Sequence, residues 1–170
     1  EASSYSGGVM SEEQKWLSED EQRAWRALMA VVVLLPGALD TQLQRDSHLS
    51  NFEYGVLAML SEAPDRTLRM SQLATLNDSS LSRLSHVARR LEERGSIIRR
   101  QCADDRRANI ATLTDEGYAL VKEAAPGHVA RVRELIFDRL SPKQIGELEQ
   151  IGDAIRSNLD PEKRMPTYVT

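Results

Sequence analysis

Ser79-Ser80-Leu81-Ser82-Arg83-Leu84-Ser85-His86-Val87-Ala88-Arg89-Arg90-Leu91-Glu92-Glu93-Arg94-Gly95 is the stretch that decides the fold. Leu81, Leu84, Val87, Ala88 and Leu91 recur at three- and four-residue steps. That spacing predicts a helix from Ser80 to Arg94 with these residues on the side that must pack inward, and Gly95 supplies a left-handed stop. At about 100° per residue, Ser79, Ser82, His86 and Arg89 fall on the opposite side, with Arg83, Ser85 and Arg90 on its flanks. Every functional group on this outer side before Glu92 can donate a hydrogen bond, and no carboxylate intrudes. A helix facing only water would normally intersperse acids and bases.

Upstream, Ser71 is expected to cap a short helix carrying Leu73, Ala74 and Leu76, and Asn77-Asp78-Ser79 makes a tight turn into the longer one. Leu68-Arg69-Met70 is long enough only for an edge-type strand. Downstream, Ser96 to Gln101 and Asn109 to Thr114 are short segments rich in Ile and Thr, joined by the polar tip Ala103-Asp104-Asp105-Arg106-Arg107. They read as a β-hairpin. Helix, turn, helix and hairpin in that order form a winged helix-turn-helix. Between Ser79 and Arg107 stand eight arginines and four acids, a local charge of +4 that leaves -8 to the rest of a chain whose total is -4. The bases are all arginine, which suits bidentate contacts to phosphate or a guanine edge. A basic helix alone is more simply a solvated, ion-paired face. The helix pair, the acid-free face and the basic hairpin together point instead to nucleic acid.

The flanks are helical. Ser18-Glu19-Asp20-Glu21 has the form of a capping box, and Trp25, Leu28, Val32, Leu35, Leu39 and Leu43 mark a first helix from about Glu19 to Arg45, with a kink or break expected at Pro36-Gly37. Ser50-Asn51-Phe52-Glu53 opens a second helix with Phe52, Val56, Leu57 and Leu60 on its apolar face. Thr114 is placed to cap a long helix bearing Leu120, Val121, Ala124, Val129, Val132, Leu135 and Ile136, with a bend expected at Pro126-Gly127. Ser141-Pro142-Lys143-Gln144 combines a capping box with proline at the first helical position, ahead of Ile145, Leu148, Ile151, Ile155 and Leu159 at near-heptad spacing. The fold class is therefore mainly α with a small β-hairpin wing. The expected organisation is a flexible tail over 1–17, dimerisation helices over 18–48 and 115–160, the winged lobe over 49–114, and a second tail over 161–170. Both end stripes are more apolar than one small lobe can cover, and burial across a two-fold axis would use the surplus. Packing of the terminal helices on each other within one chain is the alternative.

Composition sets outer bounds. With 170 residues, 41% hydrophobic and 28% charged, the chain can bury a core. A single cysteine, Cys102, excludes an internal disulfide and a multi-thiolate metal cage. The longest uninterrupted apolar run, Leu28 to Leu35, falls short of the ~18 residues that read as a membrane span and is expected to be a buried helix stretch. Residues 1–10 read as a tail ahead of Met10, with no charged-then-apolar leader, so a cytoplasmic location and no membrane partner are expected. His48, His86 and His128 lie far apart, with no two at metal-ligand spacing, and Asp104 and Asp105 are adjacent on a loop, a poor arrangement for acid–base work. No metal, cofactor or catalytic activity is expected.

From Leu68-Arg69-Met70-Ser71-Gln72-Leu73-Ala74, through the Ser79 to Gly95 helix, to Asp105-Arg106-Arg107 and Leu113-Thr114-Asp115-Glu116-Gly117, the chain resembles the MarR family of bacterial transcription regulators. The Asp-Arg-Arg tip followed six residues later by Leu-Thr-x-x-Gly is the most specific part. The resemblance implies a transcriptional regulator, expected to be a repressor, that binds pseudo-palindromic double-stranded DNA as a homodimer. It places Ser71, Ser79, Ser80, Ser82, Arg83, Ser85, His86, Arg89 and Arg90 at the DNA, with Arg106 and Arg107 in a minor groove and Asp105 orienting the wing. It also implies a small aromatic or anionic effector held near Trp25, Arg45, His48 and Tyr54. Some relatives sense peroxide through a cysteine on the first helices, whereas Cys102 sits at the base of the wing. The rival reading is a winged-helix adaptor whose arginines pair with an acidic protein partner.

Overall fold

The computed structural model describes residues 15–102 and 108–163. The elements run α1 (Glu19–Ser47), α2 (Asn51–Glu62), β1 (Thr67–Arg69), α3 (Met70–Leu76), α4 (Leu81–Glu93), β2 (Ile97–Gln101), β3 (Asn109–Leu113), α5 (Asp115–Leu135) and α6 (Pro142–Leu159), with 3-10 turns at Pro64–Arg66 and Phe137–Arg139. The fold is mainly helical with one three-stranded antiparallel sheet in the order β1-β3-β2. The short edge strand β1 pairs Leu68 with Ala111 and Arg69 with Ile110, while β2 pairs Arg100 with Ile110, so the two arginines flank Ile110 in register.

Local sequence chemistry sets most of the boundaries. Ser50 and Ser141 both close full capping boxes, with Glu53 and Gln144 respectively. Ser80 accepts from the Arg83 N–H and Thr114 from the Gly117 N–H, each satisfying a donor that the first helical turn would otherwise leave open. Ser71 does not cap α3. The helix starts one residue earlier, with extended Arg69 at the cap position making no side-chain bond, and Ser71 lies inside the first turn, its carbonyl accepting from Thr75 Oγ1. Neither internal proline breaks its helix: α1 continues through Pro36 and α5 through Pro126. Each proline forfeits one backbone hydrogen bond and is followed by a glycine, a weak helix former, yet both helices run on.

Backbone contacts divide the chain into two units, up to Leu35 and from Pro36 onward. The second unit holds the core: Leu43, Leu49, Val56, Leu57, Leu60, Leu73, Leu84, Leu91 and Ile97 are fully buried between α2, α3, α4, the sheet and the start of α5. In the same unit α6 buries none of its residues, and Ile145, Leu148, Ile151, Ile155 and Leu159 stand exposed. In the first unit Leu28, Val31, Val32, Val33 and Leu34 are likewise exposed, Leu34 at 69%. The Leu28 to Leu35 stretch is thus not buried within the chain, contrary to the expectation from its composition. Nor does its short length settle the membrane question. Ala38 and Leu39 resume the apolar sequence past Pro36-Gly37, and α1 contains an 18-residue window apolar enough, by length and composition, to cross a bilayer.

Candidate nucleic-acid interface

The predicted inward face of α4 is confirmed at Leu84, Val87, Ala88 and Leu91, all buried, and corrected at Leu81, which is half exposed at the first turn. With that face fixed in the core, Ser82, His86 and Arg89 stand exposed on the outside. His86 and Arg89 form one unit, Arg89 Nη2 lying 3.1 Å from His86 Nδ1. Arginine has no acceptor, so the imidazole must accept through Nδ1 and carries its hydrogen on Nε2 as a free-standing donor. Ser80 already spends its hydroxyl oxygen on the cap. Ser79 is half buried, its Oγ donating weakly to the Ser80 carbonyl at 3.4 Å.

The other α4 arginines do not share that stripe. Arg90 Nη2 lies 3.2 Å from Glu53 Oε1, whose side chain is only 4% exposed. Arg94 Nη1 donates to the His48 carbonyl at 3.1 Å. Arg83 stacks its guanidinium over the Phe52 ring, 4.7 Å from the centroid. The outer stripe expected from the sequence is therefore two stripes with different surroundings. Nothing in the helical spacing could separate them, because the partners lie 31 to 46 residues upstream.

Beside α4, where the hairpin leaves the sheet, a groove of about 520 Å³ is lined by Arg69, Ser71, Ser85, Arg99, Arg100 and Asn109, among others. Its cations are unequal. Glu92 accepts from the Arg99 N–H at 2.9 Å and from Arg99 Nε and Nη2 at 3.0 and 2.7 Å, and this guanidinium holds the Glu92 carboxyl below the usual carboxylate range. Arg69 and Arg100 have no acidic partner among the described residues. Only the local charge count signals Arg100 in the sequence, and nothing signals Arg69. The wing-tip expectations, Asp105, Arg106 and Arg107, lie outside the described residues.

Known proteins share this fold. The sequence model of the MarR family matches residues 49–108. The Streptomyces coelicolor MarR family transcriptional regulator Sco3205, solved in complex with DNA, is 43% identical, with a TM-score of 0.83 over 88% of this chain and 94% of that one. The chain belongs to the MarR family. AbsC, a MarR family regulator also from Streptomyces coelicolor, is 38% identical, with a TM-score of 0.80 over 87% of this chain and 99% of that one. The transcriptional repressor MprA of Escherichia coli is 31% identical over 104 residues, which span 61% of this chain and 58% of that protein, under two thirds of its length.

Within this MarR-family chain each of the four residues expected to hold an effector has its own surroundings. Trp25 is about half exposed. Arg45 is engaged by Asp46, with 2.6 Å between Nε and Oδ1, and with Gln42 this holds the Asp46 carboxyl down to about 2. His48 is exposed in the left-handed backbone region at φ 55°. Tyr54 packs instead against His128, 4.5 Å between ring centroids. Among the described residues, Gln42 Oε1 and His128 Nδ1 are buried without a hydrogen-bond partner. The sequence marks neither as a binding residue: Gln42 is one of several polar residues between Asp40 and Asp46, and His128 is an isolated histidine.

Burial holds the His128 imidazole below its ordinary value of 6.5. The unfolded chain therefore takes up a proton that the folded chain resists, so stability is full above about pH 6.5 and falls as the pH drops toward the depressed folded value. The melting temperature is expected to fall between about pH 7.5 and 5.5, and His128→Gln to flatten that limb. The carboxylates of Asp46 and Glu92 titrate below this window. A limb of equal slope in the variant would remove His128 from the account.

Proposed function

We propose that this MarR-family chain is a DNA-binding transcriptional repressor that acts as a homodimer on a pseudo-palindromic site. The observation that carries the reading is the exposed, acid-free stripe of Ser82, His86 and Arg89 on a helix whose opposite face is locked into the core. Such a helix fits a major groove, with arginine suited to guanine and the imidazole N–H to a base acceptor. The relative crystallised with DNA supports the same partner. Dimerisation is supported by the uncovered apolar faces of α6 and of the first unit, since contiguous exposed apolar surface of this kind marks interaction sites. A two-fold axis would set the recognition helices about one DNA turn, roughly 34 Å, apart. We read the unsatisfied Gln42 carbonyl oxygen and His128 Nδ1, the latter beside Tyr54, as the polar lining for a small aromatic effector that brings its own hydrogen-bonding groups.

Selection of bound duplex fragments from a random pool tests the reading directly, with sedimentation giving the oligomeric state. Affinity for the selected site should fall steeply with salt, because neutralised phosphates release their counterions. Arg69→Ala and Arg100→Ala should each lower the logarithmic salt slope by about 0.9 for every phosphate left without its guanidinium. Arg99, already neutralised by Glu92, should change it least. Equal slopes in all three variants would take the groove off the DNA path. Absence of any duplex selection, with tight capture of an acidic polypeptide, would favour the adaptor reading.

A further inference from the structure

Glu53 holds the feature that DNA binding alone leaves unexplained. One carboxylate oxygen, Oε2, closes the capping box, accepting from the Ser50 N–H at 2.8 Å and the Ser50 hydroxyl at 2.9 Å. Many helices begin so, at the surface. Here the carboxylate is buried, and its second oxygen meets Arg90. A buried carboxylate is costly unless paired, and replacing such a pair with apolar side chains is often neutral for stability. Its use is then more geometric than energetic.

Three further contacts fix what the geometry holds. Arg94 donates to the carbonyl of His48, the residue whose left-handed backbone makes the corner between α1 and α2. Arg83 covers Phe52. From the other side Asp40 Oδ1 accepts the Asn51 N–H at 2.8 Å. On a helical wheel Arg83, Arg90 and Arg94 fall within roughly 40° of one another, and Ser82, His86 and Arg89 lie about a quarter turn away. One stripe of α4 therefore grips residues 48 to 53, and that grip sets the rotation at which the neighbouring stripe faces outward.

We propose that Arg90 and Arg94, with Glu53 as anchor, are positioning residues that aim the recognition helix from the α1–α2 corner, and are not themselves groove contacts. This rests on the reading of α4 as the DNA-recognising helix. A misaimed helix forfeits base recognition and keeps phosphate attraction, so the ratio of selected-site to scrambled-duplex affinity falls while the salt slope stays. Removing a phosphate ligand does the opposite: both duplexes weaken alike and the slope drops.

The decisive variant is Glu53→Gln, which keeps a capping acceptor and frees Arg90. If Arg90 is a latch, selected-site affinity drops about tenfold, scrambled-duplex affinity and salt slope hold, and Glu53→Gln/Arg90→Gln is no worse than the weaker single variant, as for residues acting through one contact. If Arg90 is a DNA contact held back by Glu53, freeing it tightens binding to both duplexes. Arg94→Gln leaves no buried charge behind and serves as the second variant should Glu53→Gln melt early. It is expected to lower the site-to-scrambled ratio at constant slope. Tightened or unchanged binding in Glu53→Gln, or a reduced slope in Arg90→Gln or Arg94→Gln, overturns the proposal while wild-type binding keeps the DNA reading. A wild-type chain that binds no duplex overturns both.

Discussion

Gly117→Ala is expected to destabilise the winged lobe strongly. A β-carbon on Gly117 would lie 2.0 Å from the Ser96 carbonyl oxygen and 2.7 Å from Leu113 Cδ1. The first is backbone at the start of β2 and cannot swing aside. It is also bonded, accepting from the Thr114 N–H at 3.1 Å, while Thr114 Oγ1 donates to the Gly95 carbonyl at 2.6 Å and accepts from the Gly117 N–H at 3.0 Å. Relief of the clash requires the first turn of α5 to leave the β2 strand, which breaks this set together. We expect a loss of at least about 3 kcal/mol, the upper end of ordinary overpacking. At about 2–4 °C per kcal/mol for a chain of this size, the melting temperature should fall by roughly 6–12 °C. Gly146→Ala is the control. Nothing lies within 4 Å of its β-carbon, and alanine favours the helix. A Gly117→Ala chain melting within about 2 °C of wild type would mean that the α5–β2 junction gives way far more easily than its bonds imply.

The same glycine shows what is legible in the residues and what is not. Leu-Thr-x-x-Gly is visible as a motif, and Thr114 as a cap, because both are local. The reason for the glycine is not, since the atom that forbids a side chain lies twenty-one residues earlier. Ser50 and Ser141 are readable for the same local reason, and the outward face of α4 follows from periodicity, which reports only which residues share a side. The fates of its arginines are hidden. Glu53 reads completely as a capping-box partner, so the sequence offers no hint of a second role for its other oxygen. Apolar composition misleads in the opposite way. Leu28 to Leu35 has the residues of a buried segment, and composition cannot say whether the cover comes from the same chain. Gln42 and His128 become visible only as buried polar atoms without hydrogen-bond partners, a property of the packed structure and not of their neighbours in the chain.

Arg89→Ala carries the largest expected effect on DNA binding. Arg89 is exposed, makes no ion pair among the described residues, and has His86 as its hydrogen-bond partner, so its removal costs the fold little. At the DNA it removes two things: a guanidinium able to grip a guanine edge, and the bond that fixes the imidazole with its N–H outward. A good bidentate base contact discriminates by about 1–3 kcal/mol. Two copies across a proposed dimer give about 2–6 kcal/mol, which is a loss of selected-site affinity of roughly 30-fold to 10⁴-fold. Scrambled-duplex affinity should fall far less, since phosphate attraction carries it. His86→Ala should reproduce part of the loss, and the double variant should add little to Arg89→Ala because the two side chains act through one contact. Arg107→Ala is expected to act from the wing, weakening binding most on A·T-rich flanks whose narrow minor groove attracts arginine. In each case sedimentation should give the wild-type oligomer. Selected-site affinity unchanged in both Arg89→Ala and Arg107→Ala would remove the outer stripe of α4 and the wing from the DNA together.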